Sequence, residues 1–329
     1  MQEVIRIEPR AAAAWLVLAQ CYEDMHENQK ASQLRIMAAH LRHDAEEWDR
    51  LARQSREQGH NQQALYCYRK VYSLDPMNVD ALWDRASLAK EMGEFRTAKN
   101  AYLAILKRFP HDFTVLRELH PTLVELNELN ACATLLQTAL DYYMSGYPSG
   151  EETGGVVGMD LLLLSDLYSV LGEHQRAVQV VRSGTRWLQG RLEQKYWDMC
   201  DDDREYDLEG WPPRPSAGEG SQVFSGHYEL DTNARHRLAV ARIKMGDIEE
   251  GKVGRLLLLL TTIDVIFQLH ASVVLAEDVL DYSVLFAEIA DAYFEKELFA
   301  DAKPIYELLG GDPAVRSLSL LRVCAKYNC

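Results

Sequence analysis

Residues 45–110 contain one pattern twice. Trp48, Gly59, Ala64, Tyr68 and Pro76 are matched by Leu82, Gly93, Ala98, Tyr102 and Pro110, each pair 34 residues apart. Five residues of matched size and character at one offset constrain the chain more than its composition does, because a fixed period of this length marks a stack of small supersecondary units. The residue types say what each unit is. Trp48, Leu51, Ala52 and Ser55 lie at i, i+3, i+4 and i+7 and share one face of a helix. Gly59 suits a turn that needs positive φ. Ala64 is small enough for a second helix to cross the first closely, and Tyr68 and Val71 extend that face. Pro76 ends the unit, since proline lacks the donor for the next helical bond and disfavours helical geometry before it.

A 34-residue helix–turn–helix period is the signature of tetratricopeptide (TPR) repeats. The expected fold is all-α: a TPR superhelical solenoid of antiparallel helix pairs, with about seven repeats plus partial terminal units. Two helices cannot bury their apolar faces alone, so the copies must stack. A weaker copy precedes the strong pair (Trp15, Leu18, Ala19, Tyr22, Ala31, Ala38), with a turn at His26–Gln29 that lacks glycine. Another follows it (Leu116, Leu119, Leu123, Cys132, Leu136, Ala139), with Pro121 expected to kink or shorten its first helix. Residues 1–9 read as the tail of a second helix, which places the start of the array upstream. The expected organisation is an N-terminal array over 1–144, a flexible glycine-rich loop over 145–158, a further repeat over 159–190, an acidic and aromatic insertion over 191–229, and a C-terminal TPR-like array over 230–329. In that last array Leu238, Ala239, Gly246 and Gly251 mark one pair, and Phe286, Ile289, Ala290, Tyr293, Ala302, Tyr306 and Leu309 mark another.

Charge narrows the function. The formal net charge is −15. Residues 1–130 carry 17 Lys+Arg against 19 Asp+Glu, and residues 131–329 carry 18 against 31. A nucleic-acid-binding domain shows the opposite bias, so direct nucleic-acid binding is not expected and protein partners are. The six cysteines form no C-x-x-C; Cys21, Cys67, Cys132 and Cys324 fall on apolar helix faces, as small hydrophobes in a reducing compartment. No segment is long and apolar enough to suggest a membrane span.

Catalysis has no candidate constellation. His40 and His43 lack a third metal ligand at suitable spacing. Asp201–Asp203 lacks the alternating ligands and central glycine of a calcium loop, and Gly154, Gly155 and Gly158 are not followed by the Lys-Ser/Thr of a phosphate loop. No cofactor is expected. Contact residues are better candidates. On the first helices, Asp49, Arg50, Arg53, Arg56, Trp83, Ser87, Lys90 and Arg117 are not consumed by the seam. They form a strip read as basic with an exposed aromatic, suited to an acidic or amphipathic peptide; ordinary solvated helix surface is the alternative. In the insertion, Trp197, Asp201, Asp202, Asp203, Arg204, Glu205 and Tyr206 form a second candidate contact. A chaperone-tail clamp of Lys and Asn is disfavoured, because Leu16, Gln20, Arg50, Asp80 and Asp84 occupy the corresponding positions.

Four stretches go beyond the generic repeat. They are Trp48–Ala52 with Gln62–Tyr68, Tyr72–Ala86, Gly93–Ala98, and the run Asp-Asp-Asp-Arg-Glu-Tyr-Asp at 201–207. In these the chain resembles the TPR subunit of transcription factor IIIC, in a fungal form. The resemblance implies a non-enzymatic nuclear scaffold of RNA polymerase III transcription. It would bridge promoter-bound factor IIIC to factor IIIB, with factor IIIB subunits and sister factor IIIC subunits as partners. Family members also carry an acidic N-terminal region and a further C-terminal array, and functions resting on those do not transfer. The alternatives are a TPR adaptor of another assembly, such as a ubiquitin ligase or an RNA-processing complex, or the targeting arm of a TPR-containing enzyme.

Overall fold

The structure is a computed structural model that describes residues 2–193, 203–206, 230–248 and 287–309. The chain divides into two compact units, Met1–Ala139 and Leu140–Cys329.

In the first unit a short helix, α1 (Gln2–Ile7), precedes pairs formed by α2 (Ala12–Asp24) with α3 (Asn28–Arg42), α4 (Ala45–Glu57) with α5 (Asn61–Leu74), and α6 (Val79–Glu91) with α7 (Phe95–Leu106). Helix α8 (Phe113–Glu125) stacks on α7, and α9 (Leu129–Gly146) carries the boundary between the units. Helices α4, α6 and α8 start alike. Asp44, Asn78 and Asp112, again 34 residues apart, turn their side chains back to accept backbone N–H bonds at 3.1, 2.9 and 2.8 Å, satisfying donors that a helix start otherwise leaves open.

The turn inside each pair is also the same. The backbone N–H of Glu27, His60, Glu94 and Glu128 each donates to the carbonyl five residues earlier, at 2.8–2.9 Å. The residue before each donor has positive φ: His26, Gly59, Gly93 and Asn127. The first copy therefore keeps the turn without the glycine, and histidine takes the left-handed conformation in its place. Between the helices, Ala64, Ala98 and Cys132 occupy the crossing position and are all buried, as are Trp48, Leu82 and Leu116 and then Tyr68, Tyr102 and Leu136. Burial pushes the Cys67 and Cys132 thiols up to about 12, so both act as hydrophobes. Cys21 does not: it is exposed, on the outer side of α2. Pro121 does not shorten α8, which has 13 residues like α4 and α6; the helix loses one backbone donor and continues to Glu125.

The second unit contains α10 (Gly158–Val170), α11 (His174–Leu188), a single 3-10 turn at Arg204–Tyr206, α12 (Thr232–Met245), a helical stretch over 287–295, and α13 (Phe299–Leu309). Helix α11 packs on α10 and on α12. Gly184 makes the first of these contacts possible, since a Cβ there would come within 2.5 Å of the Leu161 side chain. The in-pair turn recurs with positive φ at Gly172, Gly246 and Glu297. Ile243, Ile289, Ala290, Tyr293, Ala302, Ile305 and Tyr306 form one apolar cluster, and Leu238 and Ala239 are buried on α12, whereas Gly246 is an exposed turn residue. Gly251 and Phe286 lie outside the described residues.

The glycine-rich loop after α9 is tied down. The Trp187 indole N–H donates to the Tyr147 carbonyl at 2.7 Å, Val156 is buried, and Gly150 and Gly154 lie where a Cβ would meet the Trp187 carbonyl and the Tyr143 ring. Its glycines serve close approach as well as turning.

Candidate partner-binding face and the insertion

The first-helix candidates fall on α4, α6 and α8 of the first unit. They are brought into register by stacking, but not as a basic strip. Arg50 is held by Glu47 at 2.6 Å, one turn before it, and Arg53 by Asp49 at 2.8 Å. Arg56 reaches across to the next repeat, to Glu91 at 3.0 Å and Asp84 at 3.8 Å, and Lys90 reaches Glu118 on α8 at 2.9 Å. Each of these four cations faces an acid on the same surface, so the strip is of mixed charge. Asp49 belongs to the candidate strip itself, and Glu47, Asp84, Glu91 and Glu118 beside it offset its basic character. The pairs at i,i+3 and i,i+4 follow from helix geometry; those 35 and 28 residues apart exist only once repeats stack.

Asp49 is half-buried. Burial raises its pKa, Arg53 opposes that rise, and Asp84 and Asp80 add to it. Asp84 also accepts the Tyr68 hydroxyl at 3.2 Å, which with burial pushes the Tyr68 phenol upward. Trp83 is half-buried and meets Tyr102 of its own repeat edge-on at 5.7 Å. Ser87 and Arg117 are half-buried on α6 and α8. Beside α4 an open cleft of about 580 Å³ is lined by Arg35, Ala45, Glu46, Asp49, Arg50, Arg53, Gln54, Glu57, Asp75 and Asn78. It holds three of the eight candidates. His40, which with His43 lacks a third metal ligand, packs edge-on against Trp48 at 4.8 Å and shares a 2.9 Å hydrogen bond with Tyr66.

Of the candidate contact residues in the insertion, Asp203–Tyr206 fall among the described residues. Trp197, Asp201 and Asp202 lie outside the described residues, and Arg204 opens the 3-10 turn. Glu205 and Tyr206 are buried. The Glu205 carboxylate accepts from Arg186 Nε at 3.1 and 3.0 Å and from its Nη2 at 2.8 Å, with Arg191 at 3.4 Å and Arg182 at 3.7 Å. Asp203 accepts from Arg242 of α12 at 3.2 and 3.3 Å. The Tyr206 hydroxyl donates to the Arg182 carbonyl at 3.4 Å, and burial, then Glu205, pushes its pKa upward. The Glu205 carboxylate, with no exposed side-chain surface, must find cations, and Arg182 and Arg186 of α11 and Arg191 just beyond it supply them. Sequence spacing carries no sign of this pairing, since Glu205 lies 19 residues from Arg186.

Comparison with known proteins agrees with this architecture. A tetratricopeptide-repeat family model matches residues 80–112, the second strong copy. The transcription factor tau subunit sfc4 of Schizosaccharomyces pombe is 27% identical over 263 residues, which is 77% of this chain and 26% of that protein. General transcription factor 3C polypeptide 3 of Homo sapiens is 31% identical over 186 residues, 54% of this chain and 20% of that protein. The chain is thus similar to TPR-containing subunits of transcription factor IIIC. The transcription factor tau 131 kDa subunit of Saccharomyces cerevisiae agrees at 22% identity over 298 residues, 75% of this chain and 29% of that protein. The chain spans roughly a quarter of the length of the curated relatives it matches. Its fold is also similar to that in the solved structure of Naa15/Naa10 bound to HypK-THB, with a TM-score of 0.50 at 14% identity over 98% of this chain and 40% of that one.

Proposed function

We propose that the chain is a non-enzymatic, nuclear protein–protein scaffold of RNA polymerase III transcription, whose stacked repeats bridge promoter-bound factor IIIC to subunits of factor IIIB. The observation that carries this reading is the alignment with tau-type subunits across three quarters of the chain, over an array whose described helices present polar, ion-paired faces. The acidic balance fits a member that binds proteins and leaves DNA to others. The α4–α6–α8 face, with Asp49, Arg50, Arg53, Arg56, Trp83, Ser87, Lys90 and Arg117, is the proposed docking face. Its mixed charge favours a partner segment carrying both signs over a purely acidic one.

The test is affinity capture of the tagged chain from nuclear extract with mass spectrometry of what is retained. Factor IIIC and factor IIIB subunits should be enriched, and Trp83→Ala with Lys90→Glu should deplete factor IIIB without lowering helical content. Capture of a different, reproducible assembly would overturn the reading.

A further inference from the structure

The contact between α11 and α12 is an ordinary inter-repeat stack, as α5 makes on α6. Four residues, 75–78, suffice to join α5 to α6, whereas residues 189–231 separate α11 from α12. The excursion is therefore not needed to close the seam. What returns to the seam is a four-residue segment bearing two acids and a tyrosine, and arginines of both helices receive it. Arg182 and Arg186, one turn apart on α11, both face Glu205, and Arg242 of α12 takes Asp203. Arg186, Arg191 and Arg242 are each at least nine-tenths buried, as are Glu205 and Tyr206.

We infer that the arginine-lined seam between α11 and α12 is a receptor for an acidic, tyrosine-bearing peptide, and that Asp203–Tyr206 of the chain's own insertion fills it in cis. The demand for anions is fixed in the two helices; Asp247, just past α12, meets part of it at Arg242 at 3.3 Å, while Asp203 and Glu205 come from a segment that belongs to neither helix. Buried arginines stripped of their carboxylates would be strongly destabilised, so the seam is built to exchange occupants rather than to stand empty. A partner segment of the same chemistry would supply the same bidentate carboxylate contact to Arg186 and the same hydroxyl contact to the Arg182 carbonyl. The tethered segment competes at the high effective concentration of an intramolecular ligand, which would hold the site closed until a partner is delivered nearby. The inference does not depend on which assembly the chain joins.

The test uses the full chain and a fluorescent peptide with the sequence of residues 201–207. In the Asp203→Asn/Glu205→Gln double variant the cis segment loses both charges but keeps its shape. The peptide should bind this variant roughly 10- to 100-fold more tightly than it binds the wild type, and adding Arg186→Met should abolish that gain. On the wild-type chain, saturating peptide should accelerate amide exchange at residues 203–206. Three results would overturn the inference: a folded variant with no gain in peptide affinity, a variant that loses its helical circular-dichroism signal (the segment then being a structural clamp), or equal binding of a single-stranded DNA of matched charge.

Discussion

At the scale of single residues, the same side-chain type behaves differently according to what surrounds it. His40 and His174 are both pushed below the ordinary histidine value near 6.5, first by burial and then by nearby cations: Lys70 and His43 for the former, Lys244 and Lys296 for the latter. A depressed folded-state pKa means that the unfolded chain binds the proton more readily. The contribution to stability is thus fully present above about pH 6.5 and is lost as pH falls through the lower, folded value. Denaturant unfolding of the full chain should show a lower midpoint at pH 5.5 than at pH 7.5, and His40→Gln with His174→Gln should remove part of that difference. An unchanged difference in the double variant would show that other groups carry it. Glu288, whose pKa is lowered chiefly by its hydrogen bond to His236, loses its contribution only at more acidic pH.

At the scale of the helix pair, the recurring turn is the most uniform device in the molecule. Glycine fills its left-handed position at 59, 93, 172 and 246, but histidine fills it at 26, asparagine at 127 and glutamate at 297. A side chain in that conformation is strained by about 1–2 kcal/mol, partly offset because glycine gives up more freedom on folding. His26→Gly should therefore stabilise the chain by about 1 kcal/mol, and Gly93→Ala should destabilise it by a similar amount, read as opposite shifts in urea midpoint with unchanged slope. Gly93 has open space around the position of a Cβ, so a loss there reports backbone strain and not collision.

This pattern also shows what was legible in the sequence. Trp48, Ala64, Tyr68 and their counterparts were readable because burial demands particular sizes at particular spacings. The missing glycine at 26 was visible, but not the fact that histidine would adopt the same geometry. The caps at Asp44, Asn78 and Asp112 repeat at the same interval and were available to the same reasoning. The ion pairs of the candidate face were half legible, within one helix but not between repeats. The seating of Glu205 was not legible at all, because it depends on where a long excursion returns and no periodicity encodes that.

At the scale of the whole molecule, each unit is assembled from contacts between neighbours, and polar links in the first unit follow the same rule. Gln62 bonds Glu94 at 2.8 Å, Lys99 approaches Glu128, and the Arg108 guanidinium donates to the carbonyls of Pro76 and Met77, each joining one repeat to the next. Stability in such an array is close to a sum of repeat and nearest-neighbour terms. The chain held by its ends and stretched should therefore give way in increments instead of all at once. Each helix pair of the first unit should release a length on the order of 10 nm, the extended reach of about 34 residues, seen as evenly spaced drops in a single-molecule force trace. A single large drop would mean that the pairs are not separable. The ladder of neighbour-to-neighbour bonds thus gives the protein a graded compliance. As a link between bodies that move relative to one another, it would yield one repeat under load while keeping its remaining surfaces folded and engaged.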